Sequence, residues 1–234
     1  MAPELVLGPM ERIGPAAVMY LVNAIHFKAD WKTPFIKNYT ADGSFAAPAG
    51  SVTVPFMHHT GPMAFVELDG ARGVLLDYED PRFAFLALLP PDGQDPRQLA
   101  GTASGTWLAS LLASARTTGV DLSLPQFETA YSDSLLDEMD RLGMGVAFGA
   151  GADFSRMTPE RSRDLFISEI KHKTFCAINE TGTEAAAATL VEISKTAPGP
   201  AEIVLDVDRP FLYGILDIES GIPIFLGIME NPDE

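Results

Sequence analysis

Apolar residues recur along the chain with the two-residue period of β-strands, and turn-forming residues separate the runs. Residues 16–27 are almost wholly apolar, which is typical of a strand that is buried on both faces. The other predicted strands are residues 51–58, 63–68, 72–78, 83–90, 119–127, 164–180, 201–207, 210–218 and 222–229. Several of them follow one another at close spacing, so the pattern predicts an antiparallel meander.

Apolar residues with helical spacing occur in two stretches. Residues 94–115 predict one or two short helices, and residues 132–144 predict another. In the second stretch Ser134 and Asp137 are a predicted capping pair, and Gly143 is the predicted end. The apolar positions that carry these predictions are Leu99, Trp107, Leu108, Leu111 and Leu112 in the first stretch and Leu135, Met139 and Leu142 in the second. The whole pattern predicts an α+β fold, rich in antiparallel β-sheet and with few helices.

Composition narrows the class of protein. The chain has 234 residues, of which 47% are hydrophobic, so it can form one sizeable domain or two small ones with a true core. No apolar run is long enough to span a bilayer, and no membrane partner is expected. The formal net charge of −16 argues against nucleic acid, because phosphate binding needs concentrated lysine and arginine.

The single cysteine, Cys176, excludes an internal disulfide, and its apolar neighbours predict a buried side chain. It does not indicate a compartment. The first residues lack a basic region followed by an apolar core, so no signal peptide is expected in this chain.

Enzyme and cofactor motifs are not found in the sequence. There is no G-x-S-x-G or H-E-x-x-H, and "FGAGAD" lacks the third glycine of a dinucleotide-binding loop. His26 and His172 stand far apart, while the adjacent His58 and His59 face opposite ways on a strand. We therefore expect no metal site, no cofactor and no enzyme activity.

The segment "ETGTEAAAATLVEI" (180–193) is compatible with two structures. Its four alanines favour a helix. Read as a strand, it has one uncharged face, whereas Glu184 and Glu192 lie on the other face. The uncharged face consists of Thr183, Ala185, Ala187, Thr189, Val191 and Ile193. The following "SKTAPGPAE" contains prolines and a glycine that are typical of an exposed loop.

Five stretches, taken in order, resemble the C-terminal part of the serpins, a family of serine protease inhibitors that act as suicide substrates. They are "LVNAIHFKADWKTPF", "FMHH", "DLSLPQF", "INETGTEAAAAT" and "DRPFLYGILDIESGIPIFLGIMENP". The resemblance runs from about residue 5 to the end. It implies that the chain is an inhibitor and not an enzyme. The expected partner is a target serine protease, or a cysteine protease, held in a covalent acyl complex.

The resemblance identifies residues 180–203 as a reactive-centre loop. In the family a protease cleaves this loop, and the hinge side then enters the central sheet as a new strand. Small uncharged residues on every second position suit that insertion, because a buried unpaired charge would cost several kcal/mol. The implied hinge residues are Glu180, Gly182, Thr183, Glu184, Ala185, Ala186, Ala187, Ala188 and Thr189.

Five further residues acquire roles by the same resemblance. Asn23 and His172 match a buried polar pair that links neighbouring strands where the sheet opens. Trp31, with Phe35, matches an aromatic cluster at the top of the sheet, although a simple core role would explain Trp31 equally well. Gln126 stands where many serpins have a lysine that pairs with the glutamate at position 180. A neutral amide cannot form that ion pair, so we expect the top of the sheet to be held less firmly.

The family's usual distance from Glu180 places the scissile bond at Thr196–Ala197. Counting back from Pro210 ends a few residues later, and Lys195 lies one position upstream. Cleavage after Lys195 would indicate trypsin-like targets. Cleavage after Thr196 would indicate elastase-like or subtilisin-like proteases, which have small apolar specificity pockets.

The resemblance also predicts that residues 1–234 form a single, N-terminally truncated serpin domain. By this resemblance we expect the family's N-terminal helices and some strands of its central sheet to be missing from this chain. Exposed strand edges would then favour self-association. A non-inhibitory serpin-like binding module and an inactive fragment remain the alternatives to an inhibitor.

Overall fold

The structure is a computed structural model that describes residues 19–183 and 201–233. Its strands are β1 (Tyr20–His26), β2 (Ala29–Asp30), β3 (Ala41–Ala47), β4 (Gly50–Leu68), β5 (Ala71–Asp77), β6 (Phe83–Leu89), β7 (Arg116–Pro125), β8 (Phe127–Ser134), β9 (Glu169–Ile178), β10 (Gly182–Thr183), β11 (Ile203–Asp206), β12 (Phe211–Asp217) and β13 (Ile222–Met229). Its α-helices are α1 (Pro96–Thr102), α2 (Gly105–Ala113) and α3 (Leu136–Met139). The α+β class, rich in sheet and poor in helix, is confirmed.

The chain divides into two compact units. The first contains the residues up to Phe27 together with Thr129–Cys176. The second contains Lys28–Glu128 together with Ala177–Glu234. The single domain that the sequence predicts over residues 1–234 stays a prediction.

In the first unit, β1 runs parallel to β9, with Tyr20 opposite Glu169 and Asn23 opposite His172. Strand β8 also pairs with β9. The sequence predicts that β1 is buried on both faces, and this prediction is wrong for the described chain: Leu21 is 40% exposed and Val22 is 50% exposed. Among the described strands β1 pairs with β9 alone, so it lies at an edge of its sheet.

The helix predicted at residues 132–144 is only partly present. Ser134 belongs to β8, and Leu135 precedes α3 without a side-chain capping bond, so the predicted Ser134–Asp137 capping pair is wrong. The Ser134 hydroxyl instead donates to Glu169 Oε1 at 2.5 Å. After α3 the chain continues through a π-helical turn at Asp140–Met144, in which Gly143 has φ +94°. Strand pairing has overridden the local helix signal. The remaining short helices are 3₁₀ turns at Lys37–Tyr39, Gly145–Phe148 and Ser155–Met157.

The second unit is built on an eight-stranded sheet with the order β11-β7-β4-β5-β6-β12-β13, and β3 pairs with the start of β4. All of its pairs are antiparallel except that of β11 with β7. The antiparallel meander is therefore present, together with a parallel pair that the sequence pattern did not indicate.

Strand β4 joins two runs that the sequence predicts as separate strands, 51–58 and 63–68. It continues through Gly61 and Pro62, which lie opposite Val120 and Gly119 of β7. On its other side, β3 pairs only as far as Phe56 and β5 begins only at Ala64. Pro62 therefore stands where one side of the strand has no ladder, and its missing N–H is tolerated there.

One core of the second unit lies between the sheet and the two helices α1 and α2. Asp95 caps α1 through a bond from the Arg97 N–H, and Ser104 caps α2 through a bond from the Trp107 N–H. The buried residues of this core are Val66, Ala71, Leu75, Ala84, Leu86, Leu88, Leu99, Leu108, Leu111, Leu212 and Leu216. The two short helices predicted at residues 94–115 are confirmed.

Two smaller predictions can also be compared with the fold. Cys176 is 1% exposed, as its apolar neighbours predicted. None of the helices in residues 19–183 and 201–233 is long and apolar enough to cross a bilayer.

Candidate functional site

The predicted hinge begins in a tight turn that the Asn179 side chain closes. Asn179 Oδ1 accepts hydrogen bonds from the Thr181 N–H at 2.9 Å, the Thr181 hydroxyl at 2.8 Å and the Gly182 N–H at 3.2 Å. The Asn179 N–H donates to the Gly182 carbonyl at 3.1 Å. Such side-chain bonds to nearby backbone stabilise a turn without a helix or a long strand. The chain therefore leaves β9 and reverses into β10 here.

Residues that follow β2 hold the same turn. The Trp31 N–H donates to the Thr181 carbonyl at 2.9 Å, and the Phe35 N–H donates to the Glu180 carbonyl at 2.9 Å. The Trp31 indole Nε1–H donates to the Asn179 carbonyl at 2.8 Å. Three successive carbonyls of the turn are thus satisfied, as buried backbone requires.

Gly182 is needed for close packing against β2. It lies opposite Asp30 in the β10–β2 pair. A Cβ at position 182 would overlap the Ala29 carbonyl oxygen and would lie 2.8 Å from the Asp30 Cα. Only glycine lets the two backbones approach this closely.

Thr183 is the first residue of the uncharged face, and it is 0% exposed. It pairs with Ala29 of β2 on one side and with Ile178 of β9 on the other. Its hydroxyl lies 2.6 Å from the Tyr78 hydroxyl, so the buried polar group is satisfied. A small side chain with a matched hydroxyl therefore fills a slot between two strands.

Trp31 lies in an aromatic cluster directly beside this slot. Its ring stacks on Tyr78, with centroids 4.6 Å apart and an interplanar angle of 14°. It also meets Phe85 edge-on at 5.7 Å. Phe35, the predicted companion of Trp31, instead contacts His59 edge-on at 6.1 Å. Burial lowers the pKa of His59.

Glu180 is anchored by a neutral partner. Its Oε1 accepts a hydrogen bond from the Thr40 hydroxyl at 2.9 Å. The Gln126 backbone N–H donates to the Pro55 carbonyl at 2.9 Å. No hydrogen bond joins the Gln126 side chain to Glu180 among the described residues. The site thus holds Glu180 with a hydroxyl and not with a cation.

The predicted polar pair lies in the first unit. The β1–β9 register places Asn23 beside His172, on neighbouring strands as predicted. The Asn23 side chain is exposed, and His172 Nδ1 is buried with no hydrogen-bond partner in the described part of the chain. The His172 ring meets the Tyr131 ring at 6.3 Å. The functional pairing of Asn23 with His172 stays a prediction.

Residues 184–200 of the predicted loop fall outside the described residues, whereas residues 201–203 are described and Ile203 begins β11. Residues 184–200 contain the hinge positions Glu184, Ala185, Ala186, Ala187, Ala188 and Thr189, the bond Thr196–Ala197 and the alternative Lys195.

Sequence reasoning missed three residues of the site. Tyr78 and Thr40 reach the hinge from more than 100 positions away in the chain, and no local pattern announces such contacts. Asn179 could have been found, because asparagine followed by a threonine and a glycine is a turn signal.

Comparison with known proteins defines the class of this fold and site. The family model for serpins, the serine protease inhibitors, matches residues 6–232. The chain therefore belongs to the serpin family.

Relatives and solved structures agree with this assignment. An uncharacterised serpin-like protein of Thermococcus kodakarensis is 34% identical over 224 residues, which is 95% of this chain and 52% of the relative. The thermophilic serpin tengpin in its native state is 30% identical, with a TM-score of 0.83, and the match covers 95% of this chain and 58% of tengpin. Human thyroxine-binding globulin, complexed with thyroxine, is 29% identical, with a TM-score of 0.83, over 100% of this chain and 63% of that one. The chain spans about half the length of the curated relatives that it matches.

Proposed function

We propose that this chain forms the reactive-centre part of an inhibitor that traps serine proteases as a suicide substrate. In this proposal a protease cleaves the loop at residues 180–203, forms an acyl-enzyme, and is carried along as the hinge enters the sheet. The observation that carries the proposal is the position of Thr183. It is wholly buried between β2 and β9, where the next strand of the sheet would continue.

The residues after Thr183 suit the same slot. With a two-residue period, the next side chains on its face are Ala185, Ala187 and Thr189, which are small and uncharged. A ladder hydrogen bond contributes about 0.5–1.5 kcal/mol net. An unpaired buried charge costs several kcal/mol, so a single charged residue on this face would cancel several such bonds.

The proposed scissile bond is Thr196–Ala197, with Lys195 as the alternative residue before the cleavage. Thr196 favours targets with a small apolar specificity pocket, and Lys195 favours trypsin-like targets. Mass spectrometry of the chain after brief exposure to subtilisin, elastase and trypsin would distinguish the two. The trapped partner is a serine protease, and a papain-like cysteine protease serves as the comparison.

The test uses the chain alone and a chimera in which it follows the N-terminal part of the Thermococcus kodakarensis relative. The chimera is expected to form an SDS-stable complex with one of these serine proteases. Thr183→Arg should turn the chimera from an inhibitor into a substrate, because it places a charge in the buried slot. Ala186→Arg is the matched control, since a two-residue period would place Ala186 on the opposite face.

Two outcomes would overturn the proposal. A parent chimera that is cleaved in the loop without forming a complex would favour a non-inhibitory binding module or an inactive fragment. A Thr183→Arg variant that forms the complex as well as the Ala186→Arg control would show that this face does not enter the sheet.

A further inference from the structure

The contact between the Tyr78 and Thr183 hydroxyls is the feature from which a further role follows. The two oxygens are 2.6 Å apart, and both residues are 0% exposed. Thr183 is the only buried polar residue among the described residues, apart from tyrosines. A hydroxyl buried in a sheet needs a partner, because without one it loses its hydrogen bonds to water and gains nothing in return.

Tyr78 is also fixed in place by contacts other than its contact with Thr183. Its ring stacks on Trp31, and its backbone bridges the same residue. The next residue, Glu79, donates its N–H to the Asp30 carbonyl at 3.0 Å. The phenol therefore belongs to the rigid wall of the slot, whereas Thr183 belongs to the segment that enters it.

We propose that Tyr78 is a positioning residue for loop insertion: its hydroxyl holds Thr183 in the slot between β2 and β9 and so fixes the register in which the following strand enters. This inference rests on the proposed function. Because a strand that slips by one residue turns every side chain to the other face, a fixed first residue directs Ala185 and Ala187 inward and Glu184 outward. A hydroxyl pair also favours threonine or serine over the isosteric valine at position 183.

The test measures hinge occupancy without any protease. Hydrogen–deuterium exchange of peptides that cover residues 179–183 reports whether β10 stays paired with β2. Tyr78→Phe keeps the ring stack and removes the hydroxyl, so it should raise exchange of these amides by about tenfold, as expected for one buried hydrogen bond. Tyr39→Phe is the matched control, since Tyr39 is 58% exposed, and it should leave exchange unchanged.

Variants at Thr183 separate positioning from simple packing. Thr183→Val keeps the shape and loses the hydroxyl, and it should raise exchange as Tyr78→Phe does. Thr183→Ser keeps the hydroxyl, so its amides should exchange as slowly as those of the parent. The double variant Tyr78→Phe with Thr183→Val should show much less than the sum of the two single effects, because both changes remove one interaction. If Tyr78→Phe does not fold, the valine and serine variants still decide the matter.

The inhibitory consequence is measured in the chimera as the number of inhibitor molecules consumed per trapped protease. Tyr78→Phe should raise this number by several-fold, and Thr183→Ser should not. Unchanged exchange in both Tyr78→Phe and Thr183→Val would overturn the positioning role, even if the chimera traps proteases. Altered exchange in a chimera that traps nothing would overturn the inhibitor proposal and leave the hydroxyl contact as a structural latch of the hinge.

Discussion

Strands β1 and β6 have similarly apolar sequences, "YLVNAIH" and "FAFLALL", and opposite burial. Six of the seven residues of β6 are buried, whereas none of the seven residues of β1 is. Strand β6 pairs with β5 and β12, while β1 pairs with β9 alone among the described strands. An apolar sequence therefore favours a strand that is covered by neighbours, but the rest of the fold decides whether the strand is covered.

The largest expected effect comes from making the same leucine-to-alanine substitution in each of the two strands. Leu88→Ala in β6 should lower the free energy of unfolding by about 2–5 kcal/mol, because it opens a cavity in a fully packed core. Leu21→Ala in β1 should cost about 1 kcal/mol or less, since Leu21 is already 40% exposed. Urea unfolding followed by circular dichroism gives both values. Equal losses would mean that β1 is covered in solution, by a second copy or by another part of the protein.

A second test concerns the hinge base, residues 179–183, where burial depends on the close approach of two backbones. Gly182→Ala should cost about 1–3 kcal/mol, because the new Cβ would overlap the Ala29 carbonyl oxygen. Gly101→Ala in α1 is the control: open space surrounds that position, and alanine there should stabilise the helix by about 0.5–1 kcal/mol. Thermal unfolding measures both variants. A harmless Gly182→Ala would show that β10 does not dock against β2.

The exposed strand allows a third test, on self-association. We propose that copies of the chain associate through the apolar surface of β1, where Val22 is 50% exposed. Val22→Lys should increase the monomer fraction in size-exclusion chromatography without loss of folded signal. Thr53→Lys, at an exposed position on β4, is the control. If both variants elute as the parent does, β1 is not the contact surface.

Much of the second unit could be predicted from the sequence, because its strands alternate or run apolar between clear turns. The failures have a common cause. The junction at Gly61 and Pro62 reads as a turn, yet β7 alone is enough to carry β4 through it. Ser134 reads as a helix cap, yet it belongs to β8, which pairs with β9, and its hydroxyl donates to Glu169 of β9. In both cases pairing with a distant segment outweighs a local preference.

The residues of the candidate site likewise fall into those that the sequence could predict and those that it could not. The hinge could be predicted because its small residues and its family resemblance are both local in the chain, and it stays a prediction. Tyr78 and Thr40 were missed because their roles arise only when the fold brings them to positions 183 and 180. The expectation that Gln126 holds the top of the sheet less firmly stays a prediction. The Thr40 hydroxyl is a neutral hydrogen-bond partner of Glu180 that the sequence did not indicate.

The smallest expected effect is a pH dependence at the edge of the hinge base. Burial lowers the pKa of His59, which packs against Phe35. In the unfolded chain the imidazole of His59 therefore takes up a proton near pH 6.5, whereas in the folded chain it does so only at lower pH. More protons bind to the unfolded state in this window, so stability should rise with pH and fall as the pH drops below about 6.5.

Urea unfolding between pH 7.5 and pH 5.5 measures this slope, in a range where most carboxylates stay ionised. His59→Gln removes the titrating group and should flatten the slope. His58→Gln is the matched control, because His58 is the exposed neighbour on the opposite face of β4 and should leave the slope as in the parent. An unchanged slope in His59→Gln would show that His59 is solvated in solution and does not pack against Phe35 as the structure describes. An equal flattening in His58→Gln would show that the slope does not depend on the burial of His59.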